Sequence, residues 1–116
     1  MRYLLLIYGD EGAGSDLSPE DREAMIGDYM AFGEAVTAEG IMRGGDALQP
    51  SGTATTVRVR DGETLLSDGP FVETHEQLGG FYMVECDTLD QAIGAAKRIP
   101  GALTGAIEVR PIIEFD

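Results

Sequence analysis

Basic residues, cysteine and histidine are all scarce in this chain. Eight Lys and Arg stand against 21 Asp and Glu, for a net charge of −13 over 116 residues. Phosphate backbones demand the opposite sign, which argues against nucleic-acid binding. Anionic membrane surfaces are disfavoured for the same reason, and the acidic balance serves solubility. The one cysteine, Cys86, leaves no intrachain disulfide and suits a reducing compartment. Its neighbours Glu85 and Asp87 are acids, not the cations that activate a thiol, so Cys86 reads as core. The one histidine, His75, cannot build the usual zinc site, and no Cys-x₂-Cys, His-x₃-His or EF-hand spacing occurs. Long apolar runs are missing too. The stretch Met1–Tyr8 imitates a secretory signal, but it stops at Gly9-Asp10-Glu11 with no small-residue cleavage site after it. No segment approaches the ~20 residues of a membrane-spanning helix. The expectation is one cytoplasmic domain, residues 1–116.

What is present is globular: 43% hydrophobic and 25% charged residues. Residues 2–8 are apolar at nearly every position, as in a strand buried on both faces, with Tyr3, Leu5 and Ile7 on one side and Leu4, Leu6 and Tyr8 on the other. Residues 9–17 read as a polar loop. Ser18-Pro19-Glu20-Asp21 then announces a helix over 19–39, with Met25, Ile26, Tyr29, Met30, Gly33 and Val36 as its apolar face and Gly40 closing it. Residues 41–48 read as a weak strand bent at Gly44-Gly45, and 56–60 and 63–66 as a hairpin around Asp61-Gly62. A strand over 80–86 leads to a helix capped by Thr88 and Gln91, with Leu89, Ala92, Ile93, Ala96 and Ile99 facing inward and Lys97 and Arg98 in its last turn. A last strand covers 106–109.

This order predicts an α+β fold, the ferredoxin-like split βαβ arrangement with an added hairpin and both helices on one face of an antiparallel sheet. Strands 2–8 and 80–86 carry apolar side chains on both faces, and nothing in the chain remains to cover the second. Soluble monomers avoid bare apolar sheet of that extent, so a homodimer packed sheet against sheet is expected.

The stretch Ser67–Phe81 concentrates turn chemistry, titratable groups and paired glycines. Asp68 and His75 are candidates for a proton-transfer pair, with Glu73 or Glu76 assisting. The competing reading makes Asp68-Gly69-Pro70 a turn in which Asp68 satisfies backbone amides. Arg58 and Arg60 share one strand face and suit a substrate carboxylate, or else pair with Glu63 across the hairpin. Tyr8, Tyr29 and Phe71 are candidates for a pocket between the first helix and the sheet, with Gly79 giving close backbone access. Asp10, Glu11 and Asp16 would repel a pyrophosphate, so the glycine-containing loop 9–14 is no nucleotide cradle. No cofactor and no metal are expected.

Leu4–Tyr8, Ala47-Leu48-Gln49-Pro50, Thr55–Arg58, Asp68-Gly69-Pro70-Phe71 with Glu73, Glu76–Gly80 and Glu108–Pro111 fall in the order seen in the DGPF branch of the YCII-related proteins. The chain resembles that branch over most of its length. The resemblance implies a dimeric α+β barrel. Some YCII-related proteins are similar to small lyases or dehydrochlorinases built on a histidine in the first helix and a nearby aspartate. Helix 19–39 contains no histidine here, so that dyad does not carry over. The resemblance also implies a genomic setting beside extracytoplasmic-function sigma factors. Two functions therefore stand. One is a cofactor-free lyase- or isomerase-type enzyme acting by acid–base chemistry on a small metabolite. The other is a non-catalytic ligand-sensing or protein-docking module in a regulatory or stress context.

Overall fold

A computed structural model describes residues 1–115. Strand β1 (Arg2–Gly9) is the centre of a four-stranded sheet, paired antiparallel with β5 (Gln77–Glu85) on one edge and β6 (Ala106–Pro111) on the other. Strand β2 (Met42–Ala47) adds to the far side of β5, giving the order β2-β5-β1-β6. With α2 (Pro19–Ala38) between β1 and β2 and α3 (Leu89–Ala96) between β5 and β6, this is the ferredoxin-like arrangement. Strands β3 (Thr55–Arg60) and β4 (Glu63–Asp68) form a separate two-stranded sheet inserted between β2 and β5.

Local chemistry explains most boundaries. Ser18 Oγ accepts from the Asp21 amide at 3.0 Å, with Pro19 in the first turn. At the other end Gly40 takes φ +79° while its amide donates to Thr37 O at 3.0 Å and the Ile41 amide to Val36 O at 3.4 Å, completing a Schellman motif. Ile41 and Val36 are both buried, supplying its apolar contact. Thr88 Oγ1 accepts from the Gln91 amide at 3.2 Å, and Gln91 Oε1 accepts from the Asp87 amide at 2.7 Å. Asp61 and Gly62 both have positive φ, 51° and 80°, the conformation a tight two-residue hairpin requires. The bend expected at Gly44-Gly45 is a register shift between Met42 and Gly44.

Four expectations are corrected. Residues 9–17 are not all loop: Asp10 caps a short helix, α1 (Glu11–Ser15), accepting from the Gly12 amide at 2.9 Å. The inward face of α2 is Phe32 and Val36 with half-buried Tyr29, whereas Met25, Ile26 and Met30 are exposed. The inward face of α3 is Ala92, Ala95 and Ala96, with Ile99 just beyond it, and Leu89 and Ile93 point outward. Small alanines let α3 lie close to the sheet, which periodicity alone does not specify. The helix also ends at Ala96, so Lys97 is its cap and Arg98 lies past it.

The core joins Tyr3, Leu5, Val84 and Cys86 of the sheet with these helix residues. Phe32 and Tyr82 meet at a centroid distance of 5.0 Å, and burial pushes the Cys86 thiol pKa up. Behind the sheet, two cross-strand rows line the opposite face: Asp46, Phe81, Leu6 and Glu108 in one, Gly44, Met83, Leu4 and Arg110 in the other. Their apolar middle, Leu4, Leu6, Phe81 and Met83, is half-buried, and the helices of the core pack on the other face. Arg98 binds Glu39 through two bonds of 2.7 and 2.9 Å, tying the end of α2 to the segment after α3.

Close packing at Gly105 and open space at Gly27 give opposite expectations. A Cβ at Gly105 would sit 2.1 Å from Tyr8 O, so Gly105→Ala should destabilise by on the order of 1–3 kcal/mol in denaturant titration. Gly27, within α2, has nothing within 4 Å, so Gly27→Ala should stabilise by about 1 kcal/mol. The Glu39 pair sets a pH signature. The hydrogen bond from Arg98 holds the Glu39 carboxyl below the usual glutamate range. A depressed folded pKa means stability present above the unfolded pKa and lost as pH falls through the folded one. Glu39→Gln should therefore melt slightly lower than the native protein at neutral pH, with the gap closing in acid.

Candidate functional site

The signature segment runs from the end of β4 to the start of β5. Gly69, at φ +91°, makes the turn that an L side chain would resist. Two bonds fix it: the Gly69 amide donates to Ala54 O at 2.7 Å, and Thr56 Oγ1 donates to Gly69 O at 2.9 Å. The Asp68 carboxylate takes no part. It is exposed and has no side-chain hydrogen bond among the described residues, so the turn is built without it.

The loop beyond is held by a polar network that the sequence reading did not assemble. Gln77 Nε2 donates to Thr74 O at 2.7 Å and to His75 O at 3.3 Å. Gln77 Oε1 accepts from the Glu11 amide at 3.1 Å. The Glu11 carboxylate accepts from the Ser51 amide at 2.6 Å and from Ser51 Oγ at 2.8 Å. Three half-buried residues thus join α1, the 3₁₀ turn Ser51–Thr53, the head of β5 and loop 74–75. The one sequence signal for this was Asp10 as a helix cap, masked by the surrounding glycines.

The other candidates are partly gathered. The Arg58 guanidinium lies over the Phe71 ring, 5.0 Å from its centroid, a cation–π contact between β3 and the signature loop. Arg60 stands opposite Glu63 in register, yet it donates to Val59 O at 2.9 Å and makes no ion pair among the described residues. Strand alternation puts Asp68 on the hairpin face of Val57 and Leu66, and Arg58 on the other. Glu73 and His75 are exposed in the loop. Gly79 is the residue skipped where β5 shifts register against β1, a bulge whose carbonyl accepts from Leu48 at 2.9 Å.

Tyr29 lies on the helix side of the sheet, its hydroxyl accepting from the Gly101 amide at 3.1 Å, and burial raises its pKa. Tyr8 alternates onto the opposite face of β1, so the two tyrosines do not line one pocket within a chain. Two shallow grooves of about 390 and 500 Å³ run along α2, and neither is lined by a candidate residue. Among the described residues no three His, Cys, Asp or Glu side chains cluster as metal ligands would. Nor, among these residues, is any helix long and apolar enough to cross a membrane.

The strand order, the two split βαβ units and the one-sided helices define a ferredoxin-like α+β protein. The family model of the YCII-related domain matches residues 1–116, and the chain belongs to the YCII-related family. An uncharacterised protein of Rhizobium meliloti (strain 1021) is 40% identical over 114 residues, which cover 97% of this chain and 92% of the relative.

Gln77→Ala should release loop 70–76 from α1. Amide exchange and protease cleavage in that loop should quicken, with exchange in β1 unchanged.

Proposed function

We propose that this YCII-related protein is a cytoplasmic, cofactor-free enzyme that binds a small anionic or apolar metabolite at the signature segment and acts on it by acid–base chemistry. Asp68 is the proton-carrying group. Glu73 and His75, on the same tethered loop, assist, and Arg58 with Phe71, on the hairpin face opposite Asp68, is the candidate for holding a more distant part of the substrate. Tyr8 and Gly79 are the further candidates for substrate contact, whereas Tyr29 is committed to the helix side of the sheet. The observation that carries this reading is the Asp68 carboxylate: the turn is closed by Gly69, Ala54 and Thr56, which leaves the acid unspent at a fixed position. The compositional and motif likeness to the DGPF branch agrees with a site there.

We also propose that the chain works as a homodimer, sheet against sheet. The apolar middle of the open face, Leu4, Leu6, Phe81 and Met83, supports it, because helices cover the other face only. A second reading, a ligand-sensing or protein-docking module in a sigma-factor-associated context, is favoured by one observation. Met25, Ile26 and Met30 form an exposed apolar stripe on α2.

Thermal shift against small carboxylates, lactones and phenols separates the two. A ligand at a hundredfold its dissociation constant adds ~2.7 kcal/mol, several degrees for a domain of this size. Asp68→Asn should abolish the shift and leave the unliganded midpoint in place. A shift that survives the substitution would move the site elsewhere. Silence across the panel, or an Asn variant that unfolds, would make the signature a folding element and favour the docking module.

A further inference from the structure

Helix α2 is the longest element among the described residues, and the core uses little of it. Of its 20 residues only Phe32 and Val36 are buried, both in the C-terminal half. Ile26 and Met30 are 52% and 62% exposed, and they share one side of the helix with Gly33 and Thr37, at helical spacing. A shallow groove of about 500 Å³ lies along this stripe, lined by Met30, Gly33, Glu34, Thr37 and Ala38. A Cβ at Gly33 would meet nothing within 4 Å, so the groove is open there, and the glycine only weakens the helix that carries it. Charge is one-sided on the same element. It carries five carboxylates, Glu20, Asp21, Glu23, Asp28 and Glu34, and one cation, Arg22, none of them ion-paired among the described residues. Glu23 and Glu34 border the stripe, one helical turn from Ile26 and Met30 respectively. Arg22 lies on the Tyr29 side, and Arg43, just past the helix, is turned onto Gly40 O and Met42 O at 2.9 and 3.0 Å.

We infer that α2 docks a basic amphipathic helix of another protein, whose apolar residues seat on Ile26, Met30 and the groove at Gly33 and whose Lys or Arg side chains meet Glu23 and Glu34. The inference rests on the docking reading of α2 and adds the partner's chemistry to it; Asp68 plays no part. Helix-in-groove recognition uses apolar anchors at this same spacing, and methionine adapts its shape to the side chains it meets. The stripe from Ile26 to Thr37 runs about 16 Å, or about three turns, against which a partner helix can lie. Charge sets the other occupants aside. A second copy would bring these carboxylates against a chain of net charge −13, and a two-fold contact would set them against their own equivalents. Nucleic acid and anionic membrane are repelled by the same groups.

Peptide binding read by fluorescence anisotropy tests this. The probe is a labelled leucine–lysine peptide of ~18 residues with leucine at helical spacing, about five turns when folded. Its controls are a scrambled peptide of the same composition and a leucine–glutamate counterpart. The native chain should bind the probe at least about tenfold more tightly than either control. Met30→Asp should remove about tenfold of that affinity, and E23Q/E34Q should weaken binding several-fold and flatten its salt dependence. All three positions are exposed, so both variants should keep the native far-UV spectrum. Equal binding of the leucine–glutamate peptide, or binding that Met30→Asp weakens and E23Q/E34Q leaves unchanged, would overturn the basic partner and leave the docking face standing. No binding, or binding of the scrambled peptide that Met30→Asp does not alter, would overturn the docking reading of α2 as well. Self-association that Met30→Asp abolishes in sedimentation would assign the stripe to a second copy and overturn the inference. Should a variant unfold, the native chain's preference among the three peptides decides alone.

Discussion

Strand β1 is hydrogen-bonded along both edges and apolar on both faces, and the rest of the fold is arranged around that constraint. On one side Tyr3 and Leu5 are buried beneath α2 and α3, where Phe32, Val36 and three alanines meet them. The alanines matter because a helix packs close to a sheet only when its contact residues are small. Gly105, just before β6, serves the same close approach, leaving no space over the Tyr8 carbonyl. On the other side Leu4 and Leu6 have cross-strand neighbours and are only half-buried. One face is thus finished within the chain. The other is left half-buried.

Charge follows a similar division. Three of the eight cations form ion pairs among the described residues: Arg2 with Glu114 and Arg98 with Glu39 join separate segments, and Arg110 with Glu108 lies within β6. Arg98 links two helix ends, and Arg2 ties the C-terminal segment to the first strand. These pairs are solvent-exposed, so their value lies in placement more than in energy. Arg58 and Arg60, like Arg22, Arg43 and Lys97, make no ion pair among the described residues, and they lie on the hairpin that also exposes its valines. Apolar surface and unspent charge coincide on one element.

The signature segment shows how a turn and a candidate site coexist. Glycine and backbone carbonyls carry the turn, and Gln77 with Glu11 and Ser51 anchors the loop after it. The acid at position 68 is left out of both jobs. Its backbone is held by the turn, while its exposed carboxylate keeps its hydrogen-bonding capacity free.

Much of the fold was legible in the residues. The doubly apolar β1, the Ser18-Pro19 start and Gly40 stop of α2, the Asp61-Gly62 turn and the Thr88 cap each follow from local chemistry that acts within a few residues. The ferredoxin-like order followed from them, because few topologies accommodate that sequence of elements. The register of each helix against the sheet was not legible: periodicity offers Met25, Ile26, Leu89 and Ile93 as readily as Phe32 and Ala95, and only packing against Leu5 and Val84 chooses. Nor was the Glu11–Ser51–Gln77 network, whose members lie up to 66 residues apart. The freedom of Asp68 and the absence of a Glu63 partner for Arg60 belong with it. Local propensity is written in short stretches of chain, whereas which side chains meet across the fold is decided only when distant elements compete for the same space.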